Sequence, residues 1–274
     1  MIQIIVLMNL NKIFLMKTNF TVVTITKNEE DNVKDFINSF KNVHEIIIID
    51  DFSQDNTKNI VEKINLKNVK FFQNKQNTNC FGSQRNFGIS KASGDYIINV
   101  DCDMRGSEVF IQELDTLIAK KKPDFIKFSI INHFLNRPLN YGPWSNWVKP
   151  WIFKNGISSF TDGVHEKVIL PAKSSNIFIL KEKILHLGDS SYESRLKKNI
   201  RYSLDDYEKY LRFKNISYFD VVFKPFLEFF KDYIYKRNFL NGKVGLLLSI
   251  YTSLSMFNRY LITWEKQNKI KQNE

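Results

Sequence analysis

The sequence is poor in the residues that staple small folds together. Two cysteines, Cys80 and Cys102, among 274 residues cannot build a disulfide scaffold or a four-cysteine zinc site, and a reducing compartment suits them. Ten glycines exclude a collagen-like repeat, and 43% hydrophobic with 25% charged residues exclude a wholly disordered chain. Long apolar runs are also missing. Val244–Phe257 spans 14 residues and contains Ser249, Thr252, Ser253 and Ser255, whereas crossing a bilayer takes about 20 apolar residues. That stretch fits a buried core helix or a helix lying in a membrane interface. Met1–Met16 is apolar but carries Asn9, Asn11 and Lys12 and has no small-residue cleavage site, which argues against a signal peptide. It is read as an extension over residues 1–18, with Met8 and Met16 as alternative starts.

Several motifs are absent too. No Gly-x-Gly-x-x-Gly follows the first strand and no Gly-Lys-Ser/Thr loop occurs, so dinucleotide and phosphate-loop readings lose their support. No zinc finger, RNA-recognition signature or arginine-rich arm is present, which argues against a nucleic-acid partner. There is no internal repeat.

What is present is uneven charge. The net charge is +11. Residues 1–130 carry 17 Lys and Arg against 16 Asp and Glu, whereas residues 131–274 carry 23 against 13. A basic second half fits a solvated basic face or a polyanionic partner, either phosphorylated glycan or anionic lipid.

The first half also has a rhythm. Phe20–Thr26 and Glu45–Asp51 are uncharged or β-branched runs that read as buried strands, as do Val69–Gln73, Tyr96–Val100 and Asp124–Phe134. Val33, Phe36, Ile37 and Phe40 recur at helical spacing, and helices are expected near Ile60–Ile64, Ser83–Ala92 and Ser107–Lys121, with Ser53 and Asp55 as caps for the second of these four. Strand alternating with helix predicts an α/β fold with a parallel, doubly wound sheet, whose ligands bind outside the carboxyl ends of the strands. Those ends carry Asn28-Glu29, Asp50-Asp51 and Asp101-Cys102-Asp103. Residues 136–160 are rich in Trp, Pro, Asn and Gly and read as a long loop. Val164–Leu170 and Asn176–Leu187 read as short strands, and the chain from about Tyr192 reads as basic and helical, with a break near Asn241-Gly242. The carboxylate pair Asp101 and Asp103 at a strand end suits Mg²⁺ or Mn²⁺, hard cations that prefer oxygen.

The run Val22-Val23-Thr24-Ile25-Thr26-Lys27-Asn28-Glu29-Glu30 resembles the opening of family-2 glycosyltransferases. Ile49-Asp50-Asp51-Phe52-Ser53-Gln54-Asp55-Asn56-Thr57 resembles their V-D-D-x-S-x-D-x-T. Gly82-Ser83-Gln84-Arg85-Asn86-Phe87-Gly88 resembles their G-x-x-R-N-x-G helix, and Ala92-Ser93-Gly94-Asp95-Tyr96-Ile97 and Asp101-Cys102-Asp103 follow in the same order. Gly163-Val164-His165-Glu166 and the tail from Lys224-Pro225-Phe226 to Trp264 resemble the lipopolysaccharide-core β-glucosyltransferase type. The resemblance implies a GT-A fold (Rossmann-like, mostly parallel sheet with helices on both faces) over residues 19–190, followed by a basic helical extension over 191–274. It also implies a nucleoside-diphosphate sugar donor, a UDP-sugar being favoured, a divalent metal, and inversion at the anomeric carbon.

Carried over position by position, Thr26 and Glu29 would line the nucleoside pocket and Asp51 would contact base or ribose. Arg85 would meet the diphosphate, Asp101 the ribose or metal-bound water, and Asp103 the metal. Inverting transfer needs a base for the acceptor proton. Glu166 is favoured, with Asp162 as runner-up, because the Glu-Asp pair common in the family is His-Glu here. His186 reads either as a satisfied core residue or as a further metal ligand, and Arg195, Lys197, Lys198 and Arg201 either as a solvated face or as a grip on anionic ligand. The expected function is hexose transfer to a lipopolysaccharide-core or other glycolipid acceptor, in the cytoplasm at the inner face of the cytoplasmic membrane. A peptide-directed transferase of the same fold, a non-catalytic GT-A-like binding protein and a nucleotidyltransferase are the alternatives.

Overall fold

In a computed structural model of the chain the described residues are 17–75, 80–145, 147–162, 166–170, 176–188, 191–209 and 211–271. Residues 1–16 of the extension and 163–165 of the Gly-Val-His-Glu stretch lie outside them. Two compact units divide the chain. The first holds the described residues up to Ser129 together with Val148–Ile184, and the second holds Ile130–Trp147 and the residues from Leu185 on.

The first unit begins with β1 (Phe20–Thr26) and β2 (Glu45–Asp50), both buried along nearly their whole length. Burial on both faces is why they read as apolar runs rather than alternating strands. Between them α1 (Val33–Phe40) buries Val33, Phe36, Ile37 and Phe40. Then come α2 (Thr57–Ile64), β3 (Val69–Gln73), α3 (Phe81–Ser90) and β4 (Tyr96–Asn99). β1 pairs in parallel with β2 and with β4, and β2 with β3, giving the order β3-β2-β1-β4. β5 (Met104–Arg105) and α4 (Glu108–Lys121) follow, and the Ser107 hydroxyl caps α4 by accepting the Phe110 N–H at 3.1 Å. The α/β architecture expected from the alternation is present.

Past β4 the sheet continues through β8 (Trp147–Lys154), β6 (Phe125–Phe134), β9 (Ile177–His186) and β5, and β7 (Arg137–Pro138) pairs with β6. Here the structure corrects two expectations. Residues 136–160 are not one long loop, because β8 runs antiparallel to β4. Pro150 argued against a strand, since proline cannot donate to a ladder. The pairing with β4 is confined to Ile152–Lys154, however, so Pro150 lies beyond it. In Val164–Leu170 the described residues form no strand: Val168 makes a single bridge to Phe160.

The second unit holds β7 and three helices in the basic C-terminal stretch expected to be helical: α5 (Tyr192–Lys209), α6 (Tyr218–Phe230) and α7 (Gly242–Lys271). Its core is Phe134, Leu139 and Leu248, against which Trp144, Val244 and Tyr251 pack. The Val244–Phe257 stretch sits inside α7 with Leu248 and Ser249 buried and Leu246, Leu247 and Ile250 exposed. Among the described residues no helix is long and apolar enough to cross a membrane.

Candidate active site

The ends of β1 and β2 are lashed together by the polar residues that follow them. Asp50, fully buried, accepts from the Thr26 hydroxyl at 3.0 Å and from the Ser53 N–H at 2.9 Å. The Ser53 hydroxyl accepts the Asn28 N–H at 2.8 Å, Asp55 accepts the Glu30 N–H at 2.9 Å, and the Thr57 hydroxyl accepts the Glu29 N–H at 2.8 Å. Ser53 is thus a tie between loops and not the helix cap its sequence position suggests. The short side chains place Glu29 and Asp51 at the sheet's carboxyl edge. Asn32 donates to Glu29 Oε2 at 2.8 Å, and Lys27 lies 3.3 Å from Asp51 Oδ2.

Each singular residue of α3 has a spatial task. A Cβ on Gly88 would stand 2.5 Å from Val23 Cγ1, so only glycine lets this helix lie so close to β1. A Cβ on Gly82 would stand 2.0 Å from the Thr161 carbonyl oxygen. Asn86 clasps the backbone of Phe160, donating to its carbonyl at 2.9 Å and accepting its N–H at 2.7 Å. The segment that leads to Glu166 is therefore held against α3 at two points.

Arg85 was expected to face a diphosphate. It is 3% exposed. Its Nε donates to Glu166 Oε1 at 3.0 Å, Nη1 to Asn99 Oδ1 at 2.5 Å and Nη2 to Asp101 Oδ1 at 2.6 Å. The guanidinium lies 4.5 Å from the centre of the Trp151 ring and 5.5 Å from that of Phe160. Burial disfavours its charge, but Asp101 and Glu166 outweigh that and hold it protonated. Glu166, Asp101 and Arg85 are thus brought together from three distant parts of the chain.

β8 adds two residues that the sequence reading missed. Lys149 and Trp151, two apart and so on one face of the strand, stack with the Lys149 ammonium 4.3 Å from the ring centre. Burial lowers the proton affinity of Lys149, while Asp101 and Glu166 act to raise it. The signal for both lay in the alternation of Lys149, Trp151 and Phe153, which Pro150 obscured.

The remaining expected residues are placed as follows. Asp162 is exposed, with the Cys80 thiol 3.4 Å from its Oδ1. His186 belongs to the second unit, where its Nδ1 lies 2.5 Å from Asn132 Oδ1. Arg195 is buried, its guanidinium 5.0 Å from Phe134, 5.4 Å from Trp144 and 5.5 Å from Tyr251 ring centres, so it is a core cation rather than part of a solvated face. Lys197 pairs with Glu193 on the surface.

Among the described residues no three His, Cys, Asp or Glu side chains form a metal cluster. The donor set at the β4 end still fits a hard cation. Asp101 and Asp103 offer carboxylate oxygens, with Asp103 Oδ1 buried. Between them Cys102 is buried, and burial first, then Glu29, pushes its thiol well up, so no soft thiolate competes. Mg²⁺ needs only one or two carboxylates when substrate phosphates complete its shell.

An uncharacterized glycosyltransferase of Rickettsia conorii is 28% identical over 262 residues, 90% of this chain and 90% of that protein. The poly(ribitol-phosphate) beta-N-acetylglucosaminyltransferase TarS of Staphylococcus aureus is 32% identical over 119 residues, 38% of this chain and 21% of TarS. The crystal structure of S. aureus TarS 1–349 in complex with UDP-GlcNAc covers 92% of this chain and 92% of that one, with a TM-score of 0.48 and 16% identity. The family model described as glycosyl transferase family 2 matches residues 21–185. That span runs from β1 to the end of β9 and includes the strand-end carboxylates, Arg85 and Glu166, and the chain belongs to glycosyl transferase family 2.

Proposed function

We propose that the protein transfers a hexose from a nucleoside-diphosphate sugar, a UDP-sugar first among them, to a lipopolysaccharide-core or other glycolipid acceptor, with inversion at the anomeric carbon. The observation that carries the reading is the Arg85–Glu166–Asp101 cluster at the carboxyl edge of the sheet in a family-2 chain. Glu166 takes the proton of the acceptor hydroxyl as that oxygen bonds to the anomeric carbon, and the bond from that carbon to the diphosphate breaks on the opposite side. Arg85 orients Glu166 by a charge-assisted hydrogen bond. The cation that meets the diphosphate is Lys149. Thr26 and Glu29 line the nucleoside pocket and Asp51 contacts base or ribose. Asp103, with Asp101, would hold Mg²⁺ or Mn²⁺, which when bound neutralises charge on the leaving diphosphate. The work place is the inner face of the cytoplasmic membrane.

The test has two arms. A thermal shift with UDP that grows with Mn²⁺ supports the donor and metal assignment, and no shift with UDP, GDP, CDP or dTDP counts against it. In UDP-release assays Glu166→Gln should lower kcat by about 100- to 10,000-fold, the usual worth of a positioned base, while Asp162→Asn retains most of it. The reverse pattern makes Asp162 the base.

A further inference from the structure

Among the described residues, α6 and the π-turn Lys231–Tyr235 that continues it expose a dense run of large apolar side chains. Phe219, Phe223, Phe226, Leu227, Ile234 and Tyr235 are each at least 53% exposed. Their spacing of three, four and seven residues puts most of them on one stripe. The rings order one another along it: Phe219 and Phe223 stack with centres 5.7 Å apart, and Phe226 and Phe230 meet edge-on at 4.8 Å. An exposed patch of this extent marks an interaction site.

The stripe cannot be turned inward cheaply, because the opposite side of the helix is pinned. Val221 and Pro225 are buried, and the Pro225 carbonyl accepts from the Ser253 hydroxyl of α7 at 2.8 Å. Asp232, 1% exposed, accepts from Asn238 at 2.6 Å and Ser249 at 3.2 Å and pairs with Lys236 at 3.2 Å. Rolling the helix would leave that carboxylate buried without its partners.

Charge selects the occupant. Lys224 and Lys231 pair with Asp220 at 2.9 Å and Glu228 at 3.2 Å, which leaves Lys214, Arg237 and Lys243 as exposed cations on the residues that flank the helix and turn in sequence, in a half of the chain carrying ten more cations than anions. A second copy would bring like charge against like. No described helix is long and apolar enough to cross a bilayer, so an apolar stripe bordered by cations suits a helix lying in the headgroup region of an anionic one. We propose that the α6 stripe is the surface by which the protein docks on anionic membrane. This rests on the membrane-surface reading above and names the residues that make it.

The experiment is vesicle co-sedimentation of the full chain with phosphatidylglycerol-containing and pure phosphatidylcholine vesicles, alongside UDP thermal shift and light-scattering mass. Binding to the anionic vesicles should be about tenfold or more tighter than to neutral ones and weaken with salt. Phe223→Glu/Leu227→Glu should lose it by about tenfold or more and keep the UDP shift, which also shows that the variant is folded. No binding to anionic vesicles at low salt, with the UDP shift intact, overturns the docking surface alone. A dimer that the double variant abolishes, without lipid binding, reassigns the stripe to a second copy and overturns it equally. Vesicle binding without any nucleotide shift supports the surface and counts against the transferase reading instead.

Discussion

Arg85 Nε and Glu166 Oε1 lie 3.0 Å apart across 81 residues of sequence, and the same guanidinium holds Asp101 at 2.6 Å. One buried cation thus compensates two carboxylates at the edge where substrate is expected. Removing one partner of such a pair leaves charge uncompensated, at a cost of about 3–5 kcal/mol. Arg85→Met should lose roughly that much in denaturant unfolding, and adding Glu166→Gln should return part of it, the shortfall being Asp101. Strictly additive losses would mean the two side chains do not interact. Arg85→Lys keeps the charge but not the fork, so it should unfold nearer to wild type than Arg85→Met yet lose most transferase activity.

Lys149 offers a second test, because its ammonium lies over the Trp151 ring that it shares with Arg85. A charge-assisted hydrogen bond is worth about 1.5–3 kcal/mol. Calorimetry on Lys149→Ala should therefore show UDP binding weakened by about 10- to 100-fold, with uridine binding unchanged. Equal loss for both ligands would mean that the substitution disturbs β8 and not a phosphate contact.

Gly82 tests how the Glu166 segment is seated. An added Cβ would meet the Thr161 carbonyl at 2.0 Å, a backbone atom that cannot swing aside. Gly82→Ala should cost about 1–3 kcal/mol, the usual range for overpacking, and should lower kcat more than it raises KM for the donor. A variant with wild-type kcat would show that the segment moves without consequence for Glu166.

Glu45 gives a pH dependence with a definite sign. Burial raises its pKa, but hydrogen bonds from Lys70, the Ser93 N–H and the Thr21 hydroxyl together hold it below the ordinary carboxylate value. A depressed folded pKa stabilises above the unfolded pKa of about 4.3 and is lost as pH falls through the folded value. The stability difference between wild type and Glu45→Gln should be about 1–3 kcal/mol near neutrality and shrink steadily below about pH 4.5. A difference that is flat from pH 7 to pH 3 would show that the carboxylate's charge contributes nothing.

Some of the site was legible because its cause is local. Glu29, Asp51, Asp101 and Asp103 sit at strand ends, and strand ends follow from where buried β-branched runs stop. The G-x-x-R-N-x-G spacing of α3 was readable as a pattern. Its meaning was not, since Gly82, Asn86 and Gly88 act on Thr161, Phe160 and Val23, none of them a helical neighbour. Lys149 escaped notice because Pro150 hid the strand that presents it.

By itself the sequence determined the β-α alternation of the first half, its family motifs, the basic helical second half and the carboxylates at the sheet's edge. Hydrophobic period and strand length are properties of short segments. Only the tertiary structure decided that Arg85 turns inward to Glu166, that Lys149 stacks on Trp151, and that the phenylalanines of α6 face outward while Val221 and Pro225 face α7. The reason is that a side chain's partner is set by whichever element packs over it, and that element comes from elsewhere in the chain.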